Sequence, residues 1–281
     1  MDQVVKNPGL VLVLCLITLW LQLFAGLWLF IDDPLNLSMV VLLAMLFSGV
    51  LFSLLIGFAI QLLTNRQLRT PAWFQQMANG LAYRHELSGL DAHIVSTEGI
   101  NAFAVDNMLG KRYIIVHHQV LRSLTHDEVE AILAHEICHI ALRHAGVLTF
   151  LQGAMLLFSL PPALLLSSIV SLLMRRAVML QMLFRLNSIL SLILFPMTSV
   201  YLIVISRVWE YEADACAARL IGKQQYLHTL RCLHGSFFQH PNLLNLMGHT
   251  TVKAHGRKQQ RGGLSHPSLA QRINALSEIG L

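Results

Sequence analysis

The chain has 281 residues, of which 55% are apolar and only 12% charged, and its mean hydropathy is +0.58. This composition excludes an ordinary soluble globular protein and predicts several membrane-spanning segments. The net charge of +5 favours contact with anionic lipid headgroups, and no aromatic and basic pattern typical of a nucleic-acid-binding module is present. We therefore expect a lipid bilayer, and no nucleic acid, among the partners.

Two long apolar stretches, residues 10–31 and 37–63, begin the chain. Each exceeds the ~20 residues that a helix needs to cross a bilayer. The first is too long for a signal peptide and no small-residue cleavage site follows it, so we expect it to remain as an anchor. In the second, Gly49, Ser53 and Gly57 recur every four residues, which would allow another helix to pack closely. Small residues scattered on a lipid-facing helix would give the same pattern.

The charged residues around these stretches predict their orientation. Asp32 and Asp33 lie in the connection between them, whereas Lys6 precedes the first stretch and Arg66 and Arg69 follow the second. Because positively charged flanks stay in the cytoplasm, both the N-terminus and the chain after residue 64 should be cytoplasmic.

Between the second and third apolar stretches the chain becomes polar enough for a water-soluble domain. Apolar residues recur at helical spacing after Pro71, which predicts a helix that starts there. Three short runs rich in strand-forming residues follow, and they predict a small antiparallel sheet; the runs are 92–96, 100–105 and 112–116.

The next helix carries the clearest functional motif. Thr125 and Glu128 form a capping-box pattern that opens it, and residues 135 to 139 read H-E-x-x-H. Residues four apart lie about 40° apart around a helix, so His135 and His139 can bind one ion, while Glu136 lies about 100° away, beside it. Two neutral imidazoles supply half of a tetrahedral zinc site, and the glutamate can take a proton from water that the metal activates.

A similar pattern earlier in the chain is incomplete. Residues 85 to 89 read His-Glu-Leu-Ser-Gly, so Gly89 occupies the position of the second histidine. No metal site is predicted from this motif.

The four cysteines, Cys15, Cys138, Cys216 and Cys232, contain no C-x-x-C pair. Cys15 lies in an apolar stretch and Cys138 between the two histidines, so a disulfide framework is not expected. We expect reduced thiols, which suit a cytoplasm-facing domain, and a packing role for Cys138 rather than a metal-binding one.

Two further apolar stretches, 147–173 and 187–205, follow the motif. The loop between them contains three arginines, which the positive-inside rule would place in the cytoplasm. Two complete spans would place that loop on the opposite side. Either the first hairpin overrides the rule, or the second hairpin is only partly embedded or packs against the soluble domain.

The chain is polar again from residue 206. Helices are predicted near 207–221 and 223–236, and a last helix from around His266 to Leu276. The stretch 235–263 is rich in histidine, glycine and basic residues, which predicts a mobile loop.

A catalytic zinc ion needs a third protein ligand. His144 lies five residues after His139, about 140° around a continuing helix, so it should point away from the metal. Leu142 breaks the metzincin pattern. Glu210 and Asp214 are four apart on one helical face, so one could bind the metal while the other hydrogen-bonds a ligand histidine. An ordinary acidic helix surface would show the same pattern, so the residues alone leave the third ligand open.

Four stretches, in this order along the chain, resemble the membrane zinc metalloproteases of the HtpX and CaaX prenyl endopeptidase family. They are the Asn-Ala-Phe-Ala run at 101–104, the helix from Leu124 through H-E-x-x-H, the Ser206–Asp214 segment, and Ser265-His266-Pro267 with Arg272. The order of the hydrophobic segments is also similar. The resemblance implies a mainly α membrane protein with an α+β catalytic domain. It would contain about four hydrophobic helices, with the H-E-x-x-H and E-x-x-x-D helices packed against the small sheet.

The predicted segments divide the chain into four parts. An N-terminal transmembrane hairpin (1–65) precedes the first part of the metalloprotease domain (66–145). A second hydrophobic hairpin (146–205) precedes the second part of that domain (206–281). The second hairpin would therefore be inserted into the catalytic domain, between the H-E-x-x-H motif and Glu210.

The resemblance also implies a role for each matching residue of the metal site. His135, His139 and Glu210 would bind one zinc ion per chain, with Glu136 as the catalytic base. Asp214 would hydrogen-bond a ligand histidine.

Further positions would serve the substrate. Asn101, Ala102, Phe103 and Ala104 would form a sheet edge along which an extended peptide lies. His266 and Arg272 would lie near the cleft and support the oxyanion or the catalytic helix.

The expected activity is hydrolysis of peptide bonds in protein substrates, in membrane protein quality control. The expected place is the bacterial inner membrane, with the active site facing the cytoplasm. Two alternatives stay open: processing of a lipidated C-terminus, and a zinc-binding scaffold or chaperone without turnover. The glutamate of the motif argues against the scaffold, because a structural zinc site has no use for a base.

Overall fold

The computed structural model describes residues 13, 16–17, 39, 42–43, 45–55, 70–96, 102–156, 204–233 and 267–279. The chain divides into two compact units, one formed by 1–55 and 147–202 and the other by 56–146 and 203–281. Most of the four predicted apolar stretches, and the predicted loop 235–263, lie outside the described residues. Within the described ranges, no helix is long and apolar enough to cross a membrane.

The second unit contains a three-stranded sheet. Its strands are β1 (Leu90–Val95), β2 (Ala102–Asp106) and β3 (Arg112–His117), in the order β1-β3-β2. β2 pairs with β3 in antiparallel fashion, but β1 pairs with β3 in parallel. The predicted sheet is therefore present, but the prediction that it is entirely antiparallel is wrong.

The composition of β3 explains its central place. Four consecutive apolar residues, Tyr113 to Val116, are all buried, and a strand that is apolar on both faces is most stable between two neighbours. β1 instead alternates buried and exposed positions in its first half, as an edge strand does. Burial of β3 on both faces therefore places it between the first strand and the second.

Three helices surround the sheet in the first segment of this unit. They are α1 (Ala72–Tyr83), α2 (His118–Ser123) and α3 (His126–Ala141). Pro71 precedes α1 as its N-cap. Thr125 begins α3 with a complete capping box, because its hydroxyl accepts from the Glu128 backbone N–H and its own N–H donates to the Glu128 carboxylate at 2.8 Å.

Helix α3 lies at the centre of the unit. It packs against α1, β2 and β3, and its residues from Ala131 to Ile140 are all buried. A helix that is buried all round positions its side chains rigidly, because no solvent-facing side is left on which it could shift.

The remaining helices follow in chain order. α4 (His144–Leu156) follows α3 after a break, and from residue 147 onward it belongs to the first unit. Residues 204–221 form α5, and α6 (Lys223–Leu233) and α7 (Leu269–Glu278) complete the set. The prediction of a mainly helical fold is confirmed. The expected count of about four hydrophobic helices concerns stretches that lie mostly outside the residues that the structure describes.

In the first unit, the helical stretch 45–55 packs closely against α4. The Ser48 hydroxyl donates to the Gly153 carbonyl at 2.7 Å. A Cβ atom at Gly153 would lie 2.4 Å from Phe52 Cβ, and one at Gly49 would lie 2.6 Å from the Phe150 ring. Gly49 and Gly153 therefore lie at a close helix contact, as the spacing of Gly49 suggested. Ser53 donates to the Gly49 carbonyl of its own helix, and Gly57 lies outside the described residues.

Candidate metal centre and active site

Helices α3 and α5 bring three potential metal ligands together. His135 Nε2 lies 3.1 Å from His139 Nε2. Glu210 completes the group, with one carboxylate oxygen 3.6 Å from His135 Nε2 and the other 3.5 Å from His139 Nε2. All three residues are buried, and their ligand atoms can reach a common point.

These distances fit a zinc ion. Zinc forms bonds of about 2.0–2.2 Å with imidazole nitrogen and carboxylate oxygen, so two ligands at a tetrahedral angle lie about 3.3–3.6 Å apart. The three observed separations, 3.1, 3.5 and 3.6 Å, lie at or close to this range. The donor set of two imidazoles and one carboxylate is also one that catalytic zinc sites use.

Glu136 follows His135 in the same helix and is completely buried. The helical rotation of about 100° per residue turns its carboxylate to the side of the ligand pair. A buried glutamate beside two histidine ligands suits the role of a base better than that of a surface charge.

A polar network contacts Nδ1 of His135, the ring nitrogen that does not face the other potential ligands. Asp214 Oδ1 lies 3.0 Å from His135 Nδ1, and the Tyr226 hydroxyl lies 2.9 Å from the same nitrogen. Tyr226 donates to Asp214 at 2.7 Å, and Arg272 binds both oxygens of that carboxylate. A carboxylate on Nδ1 leaves Nε2 free to bind a metal, so this network orients the ligand.

The charges of this network shift the pKa values of its members. Burial lowers the pKa of His135, but hydrogen bonds to Asp214 and Glu210 outweigh it and raise that pKa to about 9. Burial likewise opposes the ionised form of Asp214, yet the adjacent Arg272 lowers the pKa of this carboxyl to about 2. Burial raises the pKa of Tyr226 well above its ordinary value, so its hydroxyl stays protonated. The pair Asp214 and Arg272 is therefore ionised at neutral pH.

His144 contacts His139, the second histidine of the metal group. The expectation that His144 points away from this site is therefore corrected. The prediction assumed that α3 continues past His139, but α3 ends at Ala141 and Arg143 adopts a left-handed conformation with φ 63°. This break turns His144 back, so that its Nδ1 lies 3.3 Å from His139 Nδ1. His144 does not belong to the three-residue metal group; it lies behind one of the ligands.

Two residues of α5 hold His144 in place. Its Nε2 lies 3.3 Å from the Glu212 carboxylate. Its ring stacks on Trp209 with a centroid distance of 4.7 Å and an interplanar angle of 4°. The E-x-x-x-D helix therefore supplies a potential metal ligand and supports both potential ligand histidines, His135 through Asp214, and His139 through Glu212 and His144.

The expectation of reduced cysteines is wrong for one pair. Cys138 and Cys216 form a disulfide that joins α3 to α5, with a Cα–Cα distance of 5.9 Å. The sequence separation of 78 conceals this contact in the sequence. It forms because the two helices that share the metal ligands also pack side by side. Cys138 is buried, as expected, and Cys232 does not take part in this disulfide.

The predicted substrate strand lies at the edge of the described sheet. Ala102, Phe103 and Ala104 belong to β2, which is buried and packs against α3. Asn101 lies outside the described residues, and so does His266. Arg272 lies on α7 against Asp214, with one guanidinium nitrogen 3.8 Å from Glu210.

Sequence reasoning missed Tyr226 and Glu212 as parts of the site. Tyr226 lies on α6, 91 residues from the histidine that it contacts, and no local pattern marks it. Glu212 lies between Glu210 and Asp214, so the acidic helix itself contained a signal. His144 could also have been found, had the helix break at Arg143 been recognised.

Comparisons with known proteins place this site in a family. The model of "Peptidase family M48" matches residues 66–280. The protease HtpX of Pasteurella multocida (strain Pm70) is 30% identical over 245 residues, which cover 83% of this chain and 84% of that protein. The matched region contains all the described residues of the site.

A solved structure has a similar fold. The crystal structure of S. mikatae Ste24p matches with a TM-score of 0.52 and 22% identity, over 96% of this chain. This chain spans only 64% of the length of that protein. The family match extends over far more than half of the chain, and the HtpX match agrees with it. The chain therefore belongs to peptidase family M48 and is an HtpX-like metalloprotease, with a fold similar to that of Ste24p.

Proposed function

We propose that this chain is a membrane-bound zinc metalloendopeptidase that binds one zinc ion through His135, His139 and Glu210. The observation that carries the proposal is the convergence of the three ligand atoms at 3.1–3.6 Å beside the buried Glu136. Two segments of chain far apart in sequence supply these atoms. Charged side chains without a partner or a function lie mostly at the surface of a protein, whereas these are buried.

Each residue of the site has a task in peptide hydrolysis. Zinc, when bound, supplies Lewis-acid chemistry that makes water acidic near pH 7 and polarises a carbonyl group. Glu136 accepts the proton of the attacking water on its carboxylate and delivers it to the leaving nitrogen. Asp214 and Tyr226 fix the orientation of the His135 ring, and burial of the site keeps bulk water away from the proton transfer.

The edge strand offers a place for the substrate. β2 pairs with β3 on one side only, within the sheet that the structure describes. An extended peptide could pair with its other side, where Ala102 to Ala104, together with Asn101, would align the backbone of the peptide. His266 would support the developing oxyanion, and Arg272 holds the carboxylate that orients a ligand.

The substrates that we propose are membrane proteins, in a quality-control role. The apolar stretches of the sequence and its likeness to the protease HtpX support this proposal. The basic flanks Lys6, Arg66 and Arg69 support a location in the bacterial inner membrane with the site facing the cytoplasm.

Replacement of Glu136 by Gln tests the mechanism. The variant should retain zinc, because the ligands are intact, and should lose at least about 100-fold in kcat, because general-base catalysis is absent. Zinc content and cleavage of casein and of a model membrane protein, with and without a chelator, measure both effects. Glu130→Gln is the control: Glu130 lies in the same helix but accepts a hydrogen bond from Gln225 instead.

The same assay separates the alternatives. A scaffold or chaperone would bind zinc without chelator-sensitive cleavage of any substrate. A processing protease would cleave only a peptide with a lipidated C-terminus. A fully active Glu136→Gln variant would contradict the assigned base.

A further inference from the structure

A second group of potential metal ligands lies outside the catalytic site. His85 Nε2 is 3.6 Å from Cys216 Sγ and 3.8 Å from Cys138 Sγ. Each of the three residues can offer one ligand atom to a common point. The two cysteines are buried and His85 is half-buried, so a small ion can approach from the side of the histidine.

The chain holds His85 firmly beside the two sulfur atoms. The His85 N–H donates to the Ala82 carbonyl at 3.0 Å in the turn that ends α1. The adjacent Arg84 guanidinium donates to the Leu220 carbonyl at 3.0 Å, which attaches this turn to α5, the helix that carries Cys216. These bonds fix the backbone turn that carries His85 next to α5.

We propose that reduction of the Cys138–Cys216 disulfide creates a second metal site, in which His85, Cys138 and Cys216 bind a thiophilic ion, Zn²⁺ or Cu⁺. A dithiol reductant supplies two electrons and two protons, so the sulfur–sulfur bond breaks to give two thiols and the reductant becomes a disulfide. Metal binding then displaces the two thiol protons.

The observed distances suit this donor set. Zinc bonds of about 2.3 Å to sulfur and about 2.0–2.1 Å to nitrogen at tetrahedral angles place nitrogen about 3.5–3.6 Å from each sulfur. The separations from His85 Nε2 are 3.6 and 3.8 Å. Only the two sulfurs must separate, from bonding distance to about 3.8 Å, and a Cα–Cα distance of 5.9 Å allows this through side-chain rotation.

The second site differs chemically from the first. Two thiolates and an imidazole favour soft or borderline ions such as Cu⁺ and Zn²⁺, whereas two imidazoles and a carboxylate lack a soft ligand. Spectroscopy with a substituted ion can therefore distinguish the two sites.

Cobalt substitution in the full-length protein in detergent tests the proposal. Co²⁺ takes the place of Zn²⁺, and thiolate ligands give it a charge-transfer absorption in the near ultraviolet. After chelator treatment, the oxidised protein should bind one equivalent of Co²⁺ without this band. After reduction with a dithiol, it should bind two equivalents and show the band. Thiol counting in denaturant confirms the redox state, since breaking the Cys138–Cys216 bond should add two reactive thiols to the count.

Variants assign the band to its ligands. Cys216→Ser should abolish the charge-transfer band and leave one equivalent of Co²⁺ bound. Cys232→Ser is the matched control and should retain the band. In Glu210→Ala the band should persist after reduction although the catalytic site is impaired, so failure of this proposal is distinguishable from failure of the proposed function.

Three outcomes would overturn the inference. In the first, the reduced protein binds a single equivalent of Co²⁺ without the band. In the second, the band survives in Cys216→Ser. In the third, the disulfide resists reduction until the protein unfolds, so that no folded dithiol form exists to bind metal.

Discussion

The two histidines of the candidate metal site have different partners at their Nδ1 atoms. His135 contacts the ionised carboxylate of Asp214, whereas His139 contacts another imidazole, that of His144. A partner of this kind selects the tautomer and the orientation of a ligand ring. His144 should therefore be a positioning residue that acts on the metal through His139.

Two substitutions of His144 test this role. His144→Phe retains a flat ring on Trp209 but removes the nitrogen that faces His139, so zinc should be lost to a competing chelator about 10- to 100-fold more readily. His144→Asn places an amide near the position of Nδ1 and should restore much of the retention. The measurement is zinc release at increasing chelator concentration.

His126→Phe is the control, because His126 is an exposed residue in the first turn of α3, the helix that carries His139. Equal zinc release from the Phe and Asn variants of His144 would show that only the stacking on Trp209 matters. Release at the wild-type rate from both would remove His144 from the site.

Among the helices, the position of a helix end determines which way a side chain points, and small residues determine how closely two helices approach. The break between α3 and α4 at Arg143 turns His144 towards the site, and the capping box at Thr125 fixes where α3 begins. In the first unit, glycine allows α4 to approach the helical stretch 45–55. These features are local in the chain, but their effect depends on the neighbouring helix.

Gly153→Ala should destabilise the protein. The new Cβ would lie 2.4 Å from Phe52 Cβ, an atom fixed to the backbone, so the two helices must separate. A strain of about 1–3 kcal/mol is expected for such overpacking. The measurement is the midpoint of thermal unfolding in detergent.

Gly80→Ala is the matched control. Gly80 lies in α1, where a Cβ would meet no atom within 4 Å, and replacement of a helical glycine by alanine stabilises by up to about 1 kcal/mol. The two variants should therefore shift the midpoint in opposite directions. An unchanged or higher midpoint in Gly153→Ala would show that the helices do not need this close contact.

At the scale of the whole molecule, a metal ion bound at this site would join two distant segments of the chain. His139 belongs to the first segment of the second unit and Glu210 to its second segment, 71 residues later in the sequence. A ligand that binds only the folded state stabilises it in proportion to its affinity. Zinc should therefore act as a stabilising cross-link between the two segments.

Thermal unfolding with and without zinc tests this effect. At a free zinc concentration about 1,000 times the Kd, the folded state gains about 4 kcal/mol, which corresponds to an increase of roughly 10 °C in Tm for a domain of this size. Glu210→Ala should lose most of the increase, whereas Glu278→Ala, at an exposed position of α7, should retain it. Equal Tm values with and without zinc in the unmodified protein would contradict the cross-link.

The local features could be predicted from the sequence, because they depend on residues that are close together in the chain. Helical periodicity and a capping box located α3, the spacing of four placed His135 and His139 on one face, and the same spacing singled out Glu210 and Asp214. The resemblance to a family then joined the two halves of the metal site. No single stretch of the sequence contains both the H-E-x-x-H motif and Glu210.

The contacts between residues far apart in the chain became visible only in the tertiary structure. It placed β3 between two neighbours, one of them parallel, because that strand is apolar on both faces. It brought Tyr226 to His135 and paired Cys138 with Cys216 across 78 residues. Such contacts depend on how buried helices pack against each other, and side-chain packing over these separations leaves no periodic pattern in the chain.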